Sequence, residues 1–319
     1  MASDLHDLLD RRWLRRKLTF WRIAAVTILV LAVIAIALAL RLPGGGGLGR
    51  DQIARVSIEG VITEDRKLIE LMEDLKDDPK VHAVILRIDS PGGTTVGGET
   101  LFTAARALAT AKPVVAEVGG LAASAGYMIA SAADHIVARH TSIVGSIGVL
   151  FQYVDASDLL NTIGVDVKAV KSAPLKAEPS PFHPSSPEAE AMIRRLVMDT
   201  YEWFVALVAE RRGMSEAEAR ALADGSIFTG DQGLGNRLVD AIGGEAEIRA
   251  WLEGEKGVPE GLDIIDRKPV DKDSWSIFGA SRSALFAVLG LDPGAESLTD
   301  AIIGPGRRLD GLVSLWQLP

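Results

Sequence analysis

Apolar and polar positions follow two different periods along this chain, and their order predicts a parallel α/β domain. Residues 55–62 alternate with period two, as a strand does, whereas 66–76 place their apolar side chains on one face of a helix. Residues 81–88 then form a run rich in β-branched side chains. Strand, helix and strand in this order are typical of a parallel sheet.

The alternation of short apolar runs with helical patterns continues to about position 150. The pattern favours helices at 99–111 and 124–133, and strands at 113–118, 135–139 and 143–150. The sequence therefore predicts one α/β domain built on a parallel sheet.

A long apolar segment precedes this domain. Residues 23–40 are eighteen positions without a charge, and Thr27 is their only polar side chain. At about 1.5 Å of rise per residue they cover most of a bilayer core of roughly 30 Å, and Trp21 and Leu42 extend the segment. We interpret 23–42 as a single transmembrane helix. A cleaved signal peptide is the alternative, but the run exceeds a usual h-region and no small-x-small cleavage site follows it.

The charges before the apolar segment orient it. Residues 1–22 carry six basic side chains against three aspartates, so the remainder must carry −12 for the chain to reach its net charge of −9. The positive-inside tendency places this basic tail in the cytoplasm and the folded domain on the other side of the membrane. Residues 43–51 are rich in glycine and are expected to form a flexible tether.

Prolines interrupt the pattern at 171–186, where four of them exclude a helix or a central strand. Long irregular loops in compact domains are often functional. Ser186 as N-cap and Pro187 at the first helical position predict that a helix then begins and runs to about Arg212.

The signals become weaker towards the C-terminus. Ser215 with Glu218 predicts a capping box for a further helix, and 226–229 resemble a strand. After Trp251 the periodicity fades, although the apolar pieces 277–291 and 309–318 are compatible with small helices. We place the folded domain at 52–250 and treat 251–319 as a C-terminal extension without an assigned role.

The composition excludes several classes of function. The 319 residues are 48% apolar and contain no cysteine, which removes disulfide frameworks, thiolate metal sites and cysteine nucleophiles. The five histidines show no metal-ligand spacing, so neither a metal nor another cofactor is expected. The acidic body also argues against nucleic acid as a partner, because nucleic-acid binding needs a basic surface.

A serine at a predicted strand-to-helix junction is the first candidate for chemistry. Ser124 follows the apolar run 113–118 and a pair of glycines, and it begins a stretch rich in helix formers. The unpaired N–H groups at a helix start suit an oxyanion, and the small neighbours leave room for a substrate backbone. The alternative is a Gly/Ala-rich helix that packs closely on the sheet.

A second candidate element follows the strand at 81–88. Its sequence is DSPGG, and the paired Gly92 and Gly93 allow a sharp turn with N–H groups that point outward. An oxyanion hole commonly uses the N–H after the nucleophile, here that of Ala125, and one from a separate loop, here that of Gly93 or Gly92. An ordinary turn is the alternative.

A serine nucleophile also needs a base. His135 lies eleven residues after Ser124, too far along a continuous helix, and no aspartate is placed in the sequence to orient His140. A lysine with a lowered pKa is the other option, and three lysines lie in or just before the proline-rich loop: Lys168, Lys171 and Lys176. Lys176 has apolar neighbours, although each of the three can equally be a solvated surface amine.

Five blocks of sequence, in order, resemble the short signal peptide peptidase A group of peptidase family S49. The blocks are DSPGG at 89–93, the Ser124 stretch at 119–133, TSIVGSIGV at 141–149, KSAPLK at 171–176 and GSIFTG at 225–230. The resemblance implies a ClpP/crotonase-like fold and a Ser/Lys catalytic dyad. Ser124 is then the nucleophile, Lys176 the general base, and Gly93 and Ala125 the oxyanion donors.

Two positions refine this resemblance. Ile147 stands near the place where the related ClpP peptidases have their histidine, which favours a lysine base. Ala125 stands where many relatives have glycine, and its methyl group is expected to narrow the approach of a substrate.

The resemblance also implies the setting of the enzyme. We expect a bacterial cytoplasmic-membrane protein with its catalytic domain on the periplasmic side, a ring- or dome-shaped homo-oligomer, and apolar peptides such as signal-peptide remnants as substrates. General membrane-protein quality control, an inactive tethered scaffold and a crotonase-like acyl-CoA enzyme are the alternatives. The extracytoplasmic acidic domain argues against the last of these.

Overall fold

The computed structural model describes residues 20–32, 50–269 and 313–315. The chain divides into two units, Met1–Arg50 and Asp51–Pro319. In the first unit, residues 20–32 form a helix. No helix within the described ranges is both long and apolar enough to cross a membrane.

Several predicted segments lie outside the described residues. They are most of the basic tail, the second half of the predicted membrane helix, most of the glycine-rich tether and the apolar piece 277–291.

The second unit is a parallel α/β sheet with its helices, as the sequence predicts. Its strands are β1 (Gln52–Glu59), β2 (Val81–Ser90), β3 (Gly92–Thr94), β4 (Val114–Ala123), β5 (His135–Ala138), β6 (Ile143–Gly145), β7 (Ile227–Thr229), β8 (Ala241–Ile242), β9 (Asp263–Asp266) and β10 (Val313–Leu315). Its helices are α1 (Arg66–Asp77), α2 (Thr95–Ala109), α3 (Ala125–Ala130), α4 (Ser157–Thr162), α5 (Pro187–Arg212), α6 (Glu216–Ala221), α7 (Gly230–Gly235) and α8 (Glu245–Gly254).

The main sheet divides at β4. The order β9, β1, β2, β4 is parallel throughout, so the sheet extends in sequence to Asp266. The first half of β4 pairs with β5, with Val115 opposite His135, whereas its second half pairs with β6, with Leu121 opposite Ile143. Strand β8 pairs with β5 in parallel, and β7 pairs with β6 in the antiparallel direction. The chain therefore enters α3 at the end of β4, beyond the point where the sheet divides into one branch through β5 and another through β6.

Both faces of the central strands are buried. Within β1, Ala54, Val56 and Ile58 contribute to a large cluster with α1, α2, α3 and α5, whereas Ile53 points to a smaller cluster with Ile248 of α8. Successive side chains of a strand point to opposite faces, so an apolar run such as that of β2 fills both layers.

The structure differs from the sequence prediction where small residues follow β4. The strand extends to Ala123 instead of ending at Val118, and α3 covers only Ala125–Ala130. Pairing of Ala122 with Ser90 of β2 and with Val144 of β6 keeps this Gly/Ala segment extended, because tertiary pairing outweighs the low strand propensity of these residues.

Two further elements differ from the prediction. Strand β6 is limited to Ile143–Gly145, and 313–315 form a strand where a small helix was considered. The predicted start of α5 is confirmed, with Ser186 accepting from the N–H of Ala189, as is the capping box of Ser215 with Glu218.

Candidate active site

Ser124 lies between β4 and α3 in a conformation that few side chains adopt. Its backbone has φ 58° and ψ −118°, and the residue is 1% exposed. Its N–H donates to the carbonyl of Gly145 (2.8 Å), and its carbonyl accepts from the N–H of Met128 (2.9 Å). A non-glycine residue at positive φ is strained, and such strain persists where the surrounding contacts hold it, often at functional sites.

The residue after Ser124 begins α3. The N–H of Ala125 is one of the first-turn donors that a helix cannot pair internally. Ala125 is fully buried, and a Cβ atom built on Gly98 of α2 would lie 3.0 Å from its methyl carbon. The methyl group therefore packs against α2. The missing side chain of Gly98 makes room for it.

Gly92 and Gly93 form the short strand β3 beside Ile62. The N–H of Ile62 donates to the carbonyl of Gly92 (2.8 Å), and the N–H of Thr94 donates to the carbonyl of Ile62 (2.9 Å). Successive residues of a strand direct their backbone groups to opposite edges, so the N–H of Gly93 points away from Ile62. A Cβ atom on Gly93 would lie 1.8 Å from the Ile62 carbonyl oxygen, so only glycine fits there.

The opposite edge of β3 pairs with β10. The two strands are antiparallel, and Ser314 lies opposite Gly93. An extended segment of this chain thus lies along the edge to which Gly93 directs its N–H group.

Ser90 holds the glycine strand in place, and sequence reasoning missed it. The side chain is fully buried, donates to the carbonyl of Gly60 (2.6 Å) and accepts from the N–H of Gly92 (3.1 Å). Its carbonyl oxygen also lies where a Cβ on Gly126 would approach to 2.9 Å, so β2 and α3 are in close contact. Its place directly before Pro-Gly-Gly was the available signal, because a serine there can bond the backbone of the turn that it begins.

Two arginines bind the C-terminal end of α3. Arg211 donates to the carbonyls of Ser131 (2.9 Å) and Ala133 (3.2 Å), and Arg106 donates to that of Ala132 (2.7 Å). Burial lowers the pKa of the Arg211 guanidinium, and the nearby charge of Arg106 lowers it further. Positive charge at this end complements the helix dipole, so the helix that begins after Ser124 is held at both ends.

The three candidate lysines have different surroundings. Lys168 pairs with Asp166 at 3.3 Å, and Lys171 pairs with Glu178. No ion pair involves Lys176 in the part of the chain that the structure describes, and this residue is exposed instead of lying against apolar surface. Of the three, Lys176 is thus the lysine that has no carboxylate partner among the described residues.

The histidines are engaged elsewhere. His135 stacks on Trp251 with ring centroids 4.7 Å apart, and burial lowers its pKa. The expectation that no aspartate orients His140 is wrong: its Nδ1 lies 2.8 Å from a carboxylate oxygen of Asp231, although both side chains are exposed. The two residues are 91 positions apart, so the sequence carried no local signal. Ile147 is fully buried in the core.

Backbone strain concentrates around these elements. Among the described residues, four non-glycine positions have positive φ. One is Ser124 itself, and two are next in sequence to residues named above: Ser146 follows Gly145, whose carbonyl accepts from Ser124, and Ala177 follows Lys176. This distribution agrees with the tendency of strained conformations to cluster at functional sites.

The chain is similar to known proteins of one peptidase family. The family model described as "Peptidase family S49" matches residues 106–259. A putative protease of Synechocystis is 36% identical over 226 residues, which are 69% of this chain and 82% of that protein. The chain belongs to peptidase family S49. It is therefore a serine protease that acts on peptides, with a parallel-sheet α/β fold.

Further relatives in the S49 family bear protease names. A putative signal peptide peptidase SppA of Enterococcus faecium is 32% identical over 235 residues, which are 68% of this chain and 67% of the relative. Protease 4 of Salmonella typhi is 37% identical over 206 residues, which are 61% of this chain but only 33% of the relative. The resemblance to signal peptide peptidase A is thereby confirmed.

Proposed function

We propose that this S49 protease is a membrane-anchored endopeptidase in which Ser124 is the nucleophile and Lys176 is the general base. The observation that carries the proposal is the strained backbone of Ser124 at a helix start that packs directly on the glycine strand. Gly93 and Ala125 donate their N–H groups to the oxyanion, and Gly92 provides the positive-φ turn (φ 107°) that leads into this strand.

The chemistry follows from these roles. The neutral amine of Lys176 takes the proton of the Ser124 hydroxyl while Oγ attacks the peptide carbonyl. The two N–H groups stabilise the negative oxygen of the tetrahedral intermediate. The ammonium then returns the proton to the leaving amine, and water, activated by the same lysine, hydrolyses the acyl-enzyme.

The amine must be shielded from solvent to act as a base, because desolvation disfavours its protonated form. Lys176 is exposed in the single chain. A bound peptide or a second copy of the chain supplies the missing cover in this proposal, which accords with the expected ring- or dome-shaped homo-oligomer.

A peptide substrate binds, in this proposal, as an antiparallel strand on the edge of β3 that β10 occupies in this structure. The pairing of β10 with β3 supports such a site, because it is the geometry of strand addition to a sheet edge. In an antiparallel pair of this register, Gly93 donates to the carbonyl of the residue opposite. The scissile carbonyl therefore takes the position that Ser314 has in β10.

The setting of the enzyme is part of the same proposal. Residues 1–22 form a cytoplasmic tail, 23–42 anchor the protein in the bilayer and 43–51 are a tether. The peptidase domain, expected at 52–250, extends to Asp266 because β9 belongs to its sheet, and the residues that follow form a C-terminal extension. The six basic side chains before the apolar segment support a periplasmic site at the bacterial cytoplasmic membrane. Remnant signal peptides and other apolar peptides, released at that membrane, are the proposed substrates.

Replacement of Lys176 with alanine tests the base. We expect Lys176→Ala to abolish peptide hydrolysis, whereas Lys171→Ala retains part of it. In the unmodified enzyme kcat/KM should rise through the alkaline range as the amine loses its proton. Hydrolysis of a fluorogenic apolar peptide between pH 6 and pH 10 measures both. An active Lys176→Ala variant beside an inactive Lys171→Ala variant would move the base to Lys171.

Weakening of β10 tests the peptide site. Ser314→Pro removes the N–H that this strand offers to β3, so the edge becomes free for substrate. If β10 occupies the edge nine-tenths of the time, KM should fall about tenfold with kcat unchanged. Ser314→Ala keeps the N–H and is the control. An unchanged KM in the proline variant would show that peptides do not compete with β10.

A further inference from the structure

The loop that carries Lys176 contains one buried carboxylate. Residues 172–177 are exposed, whereas the side chain of Glu178 is only 6% exposed. Acidic side chains are rarely buried unless they are paired. The burial of this one charge within an exposed loop therefore indicates a specific role.

Two basic side chains meet at a single oxygen of Glu178. Nζ of Lys171 donates a hydrogen bond to Oε1, and Nε2 of His183 lies 3.3 Å from the same atom. The hydrogen bond from Lys171 holds the pKa of Glu178 below its usual range, and the charge of His183 acts in the same direction. The Lys171 side chain is 22% exposed, so this pair is better shielded from water than a surface ion pair.

The second oxygen of Glu178 adds nothing to the stabilisation of this carboxylate. Oε2 is buried and accepts no hydrogen bond from any residue that the structure describes. A buried polar atom without a partner is unfavourable. Loss of Lys171 would then remove the strongest partner of the buried charge, since the hydrogen bond from Lys171 lowers the pKa of Glu178 more than the charge of His183 or the backbone N–H of Ser180 does.

The partners of Glu178 bracket the proposed base in sequence. Lys171 precedes Lys176 by five positions, and His183 follows it by seven. Between them the chain turns back: the N–H of Lys176 donates to the carbonyl of Ala173 (3.1 Å), and Ala177 has φ 60°. The tie through Glu178 closes this turn from both sides and restricts the conformations that its backbone can sample.

We propose that Glu178 is a positioning residue for the base. By binding Lys171 and His183 it holds the turn that presents the amine of Lys176 to the Ser124 hydroxyl in the proposed dyad. The inference rests on the proposed function, since it presupposes that Lys176 is the base. It adds a residue whose carboxylate acts through the loop and not on the substrate.

Glu178→Gln in the full-length protein tests this role, because it keeps the shape of the side chain and removes its charge. We expect kcat to fall about 10- to 100-fold with little change in KM, since a misplaced catalytic group costs rate and not substrate binding. The rate at which a fluorophosphonate labels Ser124 should fall by the same factor. Lys171→Met should show the same loss, and the double variant should be no worse than either single one.

Two controls separate positioning from general damage. Lys171→Arg keeps charge and donor and should retain most of the activity. Asp166→Asn removes the exposed ion pair with Lys168 in the same segment and should leave kcat unchanged. Wild-type kcat in Glu178→Gln, or losses that multiply in the double variant, would overturn the inference. If Glu178→Gln does not fold, the comparison of Lys171→Met with Lys171→Arg decides, and equal activities overturn it.

Lys176→Ala, assayed in parallel, separates a failure of the base assignment from a failure of the positioning role of Glu178. An active Lys176→Ala variant overturns the base assignment, and the role of Glu178 with it. An inactive Lys176→Ala variant beside a fully active Glu178→Gln variant overturns the role of Glu178 alone.

Discussion

Replacement of Ser124 with alanine is expected to lower the rate of peptide hydrolysis by at least about a thousandfold, because no other group can form the acyl-enzyme. The fold should persist. The backbone hydrogen bonds of Ser124 with Gly145 and Met128 do not involve its hydroxyl, and alanine at φ 58° is no more strained than serine. Hydrolysis of a fluorogenic peptide and the thermal unfolding midpoint are the two measurements.

Ser131 provides a matched control within the same segment. It is equally buried, and its hydroxyl donates to the carbonyl of Met128 (2.7 Å). Ser131→Ala should cost about 1 kcal/mol of stability, from the lost hydrogen bond, and leave kcat unchanged. Persistent hydrolysis in Ser124→Ala, or equal loss in both variants, would remove Ser124 from the mechanism.

Replacement of Gly93 with alanine is expected to lower kcat by about a hundredfold or more, which is the usual effect of losing one oxyanion donor. The new Cβ would lie 1.8 Å from the carbonyl oxygen of Ile62, so β3 must shift and carry the N–H of residue 93 away from the oxyanion. The unfolding midpoint should also fall. Steady-state kinetics with the same peptide, together with thermal unfolding, measure both effects.

Gly235 offers the corresponding control. A Cβ atom there meets no heavy atom within 4 Å, and the residue does not have the positive φ that strains a side chain. Gly235→Ala should therefore change neither kcat nor the unfolding midpoint appreciably. If Gly93→Ala retains full kcat, the second oxyanion donor is not on β3.

Ser124→Ala and Gly93→Ala both affect a group of elements that pack directly on one another. Ser90 ties β3 to the end of β1 through Gly60, and its carbonyl packs against Gly126 of α3. The relative position of the two proposed donors, the N–H groups of Gly93 and Ala125, is thus set before substrate arrives. Such preorganisation is what makes an oxyanion hole effective, since its dipoles need not reorient during the reaction.

Much of the fold could be predicted from the sequence, because its signals are local. The period-two and helical patterns predicted β1, α1, β2 and β5 and the approximate positions of α2, β4 and α3, but not the short strand β3. The Ser186 cap predicted the start of α5 to the residue. The Gly/Ala segment before Ser124 was misassigned, since its strand character comes from pairing with β2 and β6 and not from its own propensity.

By itself, the sequence determined the parallel α/β class, the S49 resemblance, and Ser124 and the glycine pair as candidates for chemistry. These depend on neighbouring residues, through periodicity, caps and short motifs. Only the tertiary structure decided the strained backbone of Ser124, the place of β10 on β3, and the tie of Glu178 to Lys171 and His183. Each of these results from contacts that form when distant segments pack together, and no local pattern encodes such contacts.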